Sequence, residues 1–161
     1  MNEITLEQIL VDALADERKA EATYAAVVEK FGPVRPFTNI ISAEQRHSGA
    51  IERQMERLGI PVPANSRDSV IAPPTSLAAA CEQAIEAEIE NISLYDRLIP
   101  MIRDEAVAGV FRNLQAASRD NHLPAFRRCH DRELRGGRGP SGEGGGRGGR
   151  GRGWRGGRGS G

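Results

Sequence analysis

The chain has 161 residues, and its 22 basic and 22 acidic side chains cancel. The balance conceals a split near residue 134: residues 135 to 161 carry 15 of the 19 glycines and a net charge of +6, so the first 134 residues are net −6 and are the only part able to build a core. No apolar run approaches a membrane span, and the opening Met1-Asn-Glu-Ile lacks the basic start and apolar stretch of a secretion signal, so a helical membrane protein is excluded and a cytoplasmic location is the expectation.

A first helix is expected from Thr5, where Thr5-Leu-Glu-Gln8 fits a capping box, to Phe31 before Gly32-Pro33. Taken in steps of three and four it reads Leu6, Leu10, Ala13, Glu17, Ala20, Tyr24, Val27 and Phe31, one face of a 3.6-residue helix. The second reads Phe37, Ile40, Glu44, His47, Ile51, Met55 and Leu58 and stops at Gly59-Ile-Pro61. Residues 60 to 74 hold four prolines and read as an extended connection. Fifteen extended residues reach about 50 Å and a ~25-residue helix is about 38 Å long, so the connection has the length to cross a bundle. Thr75 or Ser76 can cap the third helix, whose stripe is Leu77, Cys81, Ala84, Glu88, Ile92, Tyr95, Ile99 and Ile102 and which Pro100 should kink or end. The fourth starts at Asp104 and reads Val107, Phe111, Leu114, Ser118, His122, Ala125 and Cys129, with Pro124 one turn inside, where a distortion beside His122 is expected.

Glu17, Glu44, His47, Glu88 and His122 interrupt these apolar stripes, and no Lys or Arg does. A carboxylate buried without a partner shifts its pKa by up to ~3 to 5 units, roughly 4 to 7 kcal/mol, and three such groups would consume a typical stability of roughly 5 to 15 kcal/mol. A metal cation is the economical remedy, because carboxylate oxygen and neutral imidazole are natural ligands. Glu44-Gln-Arg-His47 places both groups on one helical face one turn apart. The two halves share one plan, a helical hairpin with a core Glu on its first helix and a core His on its second, which suggests a pseudo-twofold bundle with polar groups converging at mid-height. The competing reading is a polar core network with waters or protonated carboxyls, and His122 taken alone reads as a hydrogen-bonded core histidine. Tyr24 and Tyr95, each seven residues from a core Glu, are placed to hydrogen-bond the site, to supply a redox-active phenol, or simply to pack. Two cysteines make no disulfide framework. Cys81 nevertheless lies seven residues before Glu88 and Cys129 seven after His122, offsets that level the thiols in an antiparallel hairpin. A disulfide or redox dithiol stands beside a pair of inert core thiols.

The segments Asp16-Glu-Arg-Lys-Ala, Phe37-Thr-Asn-Ile40, Ala43-Glu-Gln-Arg-His47, Ser76-Leu77 with Glu88, and Ala117-Ser-Arg-Asp-Asn-His-Leu-Pro-Ala-Phe126 resemble the ferritin-like superfamily. Within it they are similar to a prokaryotic domain-of-unknown-function family, over residues 4 to 131. The resemblance implies an all-α, ferritin-like four-helix bundle over residues 1 to 134 and a buried metal site of Glu17, Glu44, His47, Glu88 and His122. Glu44 would be the shared carboxylate, and His47 and His122 the terminal nitrogen ligands. Iron is the leading metal, with manganese or zinc as others, and oxidation by oxygen or peroxide, as in a di-metal oxidase or ferroxidase, or metal handling is the implied role. The full di-iron pattern has a Glu three residues before the last His, where this chain has Arg119, off the stripe. Asn91, Ser118 and Asn121 could add neutral oxygens or hydrogen bonds to ligands, and Glu21 lies one turn from Glu17.

Residues 135 to 161 read as a disordered Gly/Arg-rich tail, because they have almost nothing to bury. Their Arg-Gly-Gly repeats resemble those of RNA-binding proteins. Arg147, Arg150, Arg152, Arg155 and Arg158 would contact phosphates, and Trp154 would stack on bases for ~1 to 3 kcal/mol each. A nucleic-acid-binding protein with the bundle as scaffold is therefore the alternative function, beside a solubilising or tethering tail or one that folds back on the acidic body. A structural bundle without chemistry is the third reading, and a homo-oligomer is compatible with each.

Overall fold

A computed structural model describes residues 3 to 66 and 71 to 136. The readings made for Arg147, Arg150, Arg152, Trp154, Arg155 and Arg158 lie outside the described residues. The described residues form helices α1 (Leu6–Phe31), α2 (Phe37–Arg57), α3 (Leu77–Leu98), α4 (Glu105–Ala117) and α5 (Leu123–Leu134), with no strand among them. A 3₁₀ turn, Ile99–Met101, follows α3, and a π-helical turn, Ser118–His122, joins α4 to α5 into one fourth arm. No helix of the described residues is long and apolar enough to cross a membrane.

The boundaries follow local chemistry. Thr5 Oγ1 accepts the Gln8 amide at 3.1 Å, but the Gln8 side chain turns to Asp12 at 2.6 Å, so only half of the expected capping box forms. Gly59, at φ +69°, ends α2 with its amide on Glu56 O and that of Ile60 on Met55 O, the paired bonds of a Schellman cap. Ser76 rather than Thr75 caps α3, accepting the Ala79 amide at 3.1 Å. Pro100 ends that helix in the 3₁₀ turn, and Asp104 Oδ1 caps α4 through Ala106 and Val107. Pro124 has no amide hydrogen for the carbonyl of Asp120, and the helix widens there: the Leu123 amide reaches back five residues to Ser118 O. The distortion expected beside His122 is this π turn.

Helix α1 packs on α2, and α3 on the fourth arm, as two hairpins. Helix α1 also meets α3, and α2 meets α4. Tyr24 contacts Glu88 while Tyr95 contacts Glu17, so α1 and α3 run antiparallel, and α2 and α3 therefore point the same way. The described ends of the proline-rich connection are both held to α1, Arg18 Nη1 donating to Pro63 O at 2.7 Å and Lys30 Nζ to Pro74 O at 2.9 Å. Two apolar clusters fill the ends of the interior. One centres on Leu10, Leu14, Ile51, Met55, Tyr95 and Phe111, the other on Tyr24, Val27, Phe37, Ala84 and Phe126. Between them lies a buried polar layer: Glu17, Glu44, His47, Ser48, Glu88, Asn91, Ser118 and His122.

Candidate metal centre

Each helix brings one part of this layer. Glu17 comes from α1, Glu44 and His47 from α2, Glu88 from α3, and His122 from the π turn of the fourth arm. All five are at most 9% exposed. His47 Nδ1 lies 3.1 Å from Glu17 Oε2 and 3.2 Å from Glu44 Oε2. His122 Nδ1 lies 3.1 Å from Glu44 Oε1 and 3.4 Å from Glu88 Oε2. Glu44 thus turns one oxygen to each imidazole, and the rings stack at 5.4 Å between centroids, 16° from parallel. Two ligand groups result, Glu17–Glu44–His47 and Glu44–Glu88–His122, with Glu44 common to both.

The outer oxygens of the two flanking carboxylates are held by tyrosines. Tyr24 Oη donates to Glu88 at 2.7 Å and Tyr95 Oη to Glu17 at 2.5 Å. Each phenol crosses from its own helix to the glutamate of the other, which ties α1 to α3 and leaves the inner oxygens facing the imidazoles. Burial, the largest influence, and the neighbouring carboxylates hold both phenols well above the usual tyrosine range, so they stay protonated donors. Asn91 Nδ2 donates to Asp16 Oδ2 at 2.6 Å and lies 3.4 Å from Glu17 Oε1, while Ser118 Oγ donates to Asn91 Oδ1 at 2.8 Å.

The charges are mutually dependent. Burial pushes the Glu17 carboxyl up to about 7 against the opposing contact of His47. Burial acts on Glu44 in the same direction, yet its contacts with His122 and His47 prevail and hold it below the usual range. Burial lowers both imidazoles, but their carboxylate neighbours outweigh it and raise each to about 9. This corrects one sequence expectation. The stripes lack Lys and Arg, yet without metal the core does contain cations, the two imidazoliums. The contacts are unevenly made, however: His122 Nδ1 is sealed from solvent and close to two carboxylates, yet lacks an aligned hydrogen-bond partner among the described residues. A buried nitrogen with oxygens from two other helices around it, and no directed bond to them, fits a cation better than a closed hydrogen-bond network.

Tyr24, Asn91, Tyr95 and Ser118 stand behind the carboxylates as anticipated. Asn121 does not: it is exposed, because the turn that directs Ser118 and His122 inward leaves it on the outer face. Glu21 is held at the surface by Gln45 Nε2 at 3.0 Å and adds no fourth carboxylate. Arg119 is likewise outside, paired with Asp120 at 3.0 Å. Two residues were not anticipated. Asp16, half-buried and raised in pKa chiefly by burial, anchors Asn91, and Ser48 is buried beside His47 with no partner for its hydroxyl among the described residues. Both fit the three-and-four stepping, Asp16 between Ala13 and Ala20 and Ser48 between Glu44 and Ile51, so the periodic signal was there, but the stripes drawn through Glu17 and His47 passed over them. Cys81 and Cys129 face each other at bonding distance across α3 and α5, Cα atoms 6.1 Å apart, at one level as their offsets from Glu88 and His122 required.

No family model matches the chain, and no curated protein does. Among solved structures it is similar to a hypothetical protein of Methanococcus jannaschii, with a TM-score of 0.72 and 24% identity over 83% of this chain and 85% of that one. Likeness at that identity speaks to the fold alone.

Proposed function

We propose that the bundle is a ferritin-like metalloprotein in which Glu44 would be the carboxylate shared by two metal positions. Glu17 and His47 would hold one ion, and Glu88 and His122 the other. The observation that carries this reading is the pair of ligand groups sharing Glu44, with one of its oxygens 3.2 Å from His47 Nδ1 and the other 3.1 Å from His122 Nδ1. Oxygen and imidazole donors suit first-row divalent ions, iron foremost, with manganese or zinc as competitors. When bound, iron would supply one-electron redox and Lewis-acid chemistry for oxidation by oxygen or peroxide, or the site would store and detoxify the ion. The residues themselves do the rest. Tyr24 and Tyr95 orient the terminal carboxylates, Asn91 and Ser118 fill the side of the site where a fourth carboxylate is missing, and the two apolar clusters limit water.

Loading the chain, purified without a metal-binding tag, with anaerobic ferrous iron should give about two ions per chain by elemental analysis. Glu44→Ala should lose both and Glu88→Ala one, with helical circular dichroism unchanged. Uptake below ~0.2 ion per wild-type chain overturns the reading.

A further inference from the structure

Cys81 and Cys129 lie outside the site yet on the two elements that carry Glu88 and His122, each seven residues from its partner, which is about 10 Å along a helix. Both are 0% exposed and sit among Ala80, Ala84, Phe37 and Phe126. Burial among apolar side chains makes a thiol inert to solvent oxidants and to exchange. Once the chain has folded with both thiols reduced, a bond between such sulfurs needs an oxidant that acts from inside. The path inward is short: Phe126, one turn from Cys129, packs 5.0 Å from the Tyr24 ring, and Tyr24 Oη donates to Glu88.

We infer that Cys81 and Cys129 are an internal substrate of the metal site, which installs the crosslink between α3 and α5 as a one-time maturation step driven by a hydroperoxide. Two S–H bonds break and one S–S bond forms. The two electrons and two protons released cleave the O–O bond of the peroxide, giving an alcohol, or water from hydrogen peroxide itself, plus one water. The inference rests on the metal reading above and adds a substrate to it. Because the product is sealed in the core, it persists without being reduced again, and no resetting reductant is needed.

The test uses the full chain, reduced in denaturant, refolded under anaerobic conditions and divided into metal-free, zinc-loaded and ferrous-loaded samples. Each receives one equivalent of hydrogen peroxide, is denatured in an alkylating agent and is mapped by mass spectrometry, while a parallel aliquot is analysed for bound metal. The ferrous sample should pass from two alkylated cysteines to none, with a Cys81–Cys129 crosslinked peptide two hydrogens lighter, while the zinc and metal-free samples keep both thiols. Bound iron with both thiols intact overturns the inference and leaves the metal reading standing. Equal crosslinking without metal also overturns it. Absence of bound iron removes both, and the metal analysis identifies that case. A Glu44→Ala chain that folds but still crosslinks at the wild-type rate would count against it as well.

Discussion

Raising the pH should weaken the metal-free fold and strengthen metal binding, and the two effects share one cause. Both imidazoles sit at about 9, against about 6.5 unfolded, so their stabilisation is complete below pH 6.5 and is lost as the pH rises through 9. Each shift corresponds to about 3 kcal/mol as an upper bound, and both rings are nearly buried, so solvent screening removes little of it. Glu17, raised to about 7, acts in the same direction: a carboxyl easier to protonate when folded loses stability between about pH 4.5 and 7. Glu44, held low, opposes only at acid pH, where its stabilisation disappears as the pH falls through its folded value. The metal-free protein should therefore be most stable at about pH 4.5, where the Glu17 and Glu44 effects cross, and lose several kcal/mol by pH 9. At pH 7 both imidazoles are ~99% protonated and Glu17 about half, so filling both positions should expel roughly two to two and a half protons and tighten about a hundredfold per pH unit. Urea denaturation at pH 6, 7.5 and 9, with and without zinc, measures the first effect. Calorimetry in two buffers of different ionisation enthalpy measures the second. Equal midpoints at pH 6 and 9 without metal, or metal uptake with no proton release, would refute the reasoning.

Closing a loop of 48 residues, the Cys81–Cys129 crosslink should contribute about 4 kcal/mol by chain entropy, so thermal melts of oxidised against fully reduced wild type should differ by roughly 10 to 15 °C. Tyr95→Phe leaves Glu17 Oε1 with only the long Asn91 contact, and urea denaturation of the metal-free chain should show a loss of about 2 kcal/mol. Pro124→Ala restores an amide for the Asp120 carbonyl and lets the π turn relax to α-helix. His122 then changes its angle toward Glu44 and Glu88, and metal affinity, followed by competition with a chromophoric chelator, should fall about tenfold or more while the fold is kept.

The helices and their polar interruptions were legible because burial imposes a 3.6-residue period that a sequence displays directly. Glu17, Glu44, His47, Glu88 and His122 stand where the stripes put them. Direction was less legible. That residues 60 to 74 were long enough to cross the bundle followed from reach, but that α2 and α3 point the same way depends on α1 meeting α3 antiparallel, a tertiary choice encoded in Tyr24 and Tyr95 reaching each other's glutamates. Pro124 announced a distortion without its kind. Whether a helix kinks or widens depends on which carbonyl accepts the displaced amide, here Ser118 O. Asn121 was misplaced for the same reason, since a wheel drawn at constant pitch cannot follow a π turn. Charge was the other blind spot: an absence of Lys and Arg reads as an absence of cations only if histidine is taken as neutral, and among three carboxylates it is not.

The two hairpins are near-copies that differ at one decisive position. Glu17 and Tyr24 on α1 match Glu88 and Tyr95 on α3 in spacing, and His47 matches His122, but the glutamate three residues before His47 has Arg119 as its counterpart. That arginine is off the apolar stripe and pairs with Asp120 at the surface, while Ser118, on the stripe four residues before His122, faces inward and bonds Asn91. The interior thus has a neutral hydroxyl on the arm where α2 places a carboxylate. With three carboxylates against two divalent ions, the filled centre would carry one excess positive charge. Each further positive charge would have to be stabilised without an added carboxylate among these ligands, which would favour divalent over trivalent occupancy.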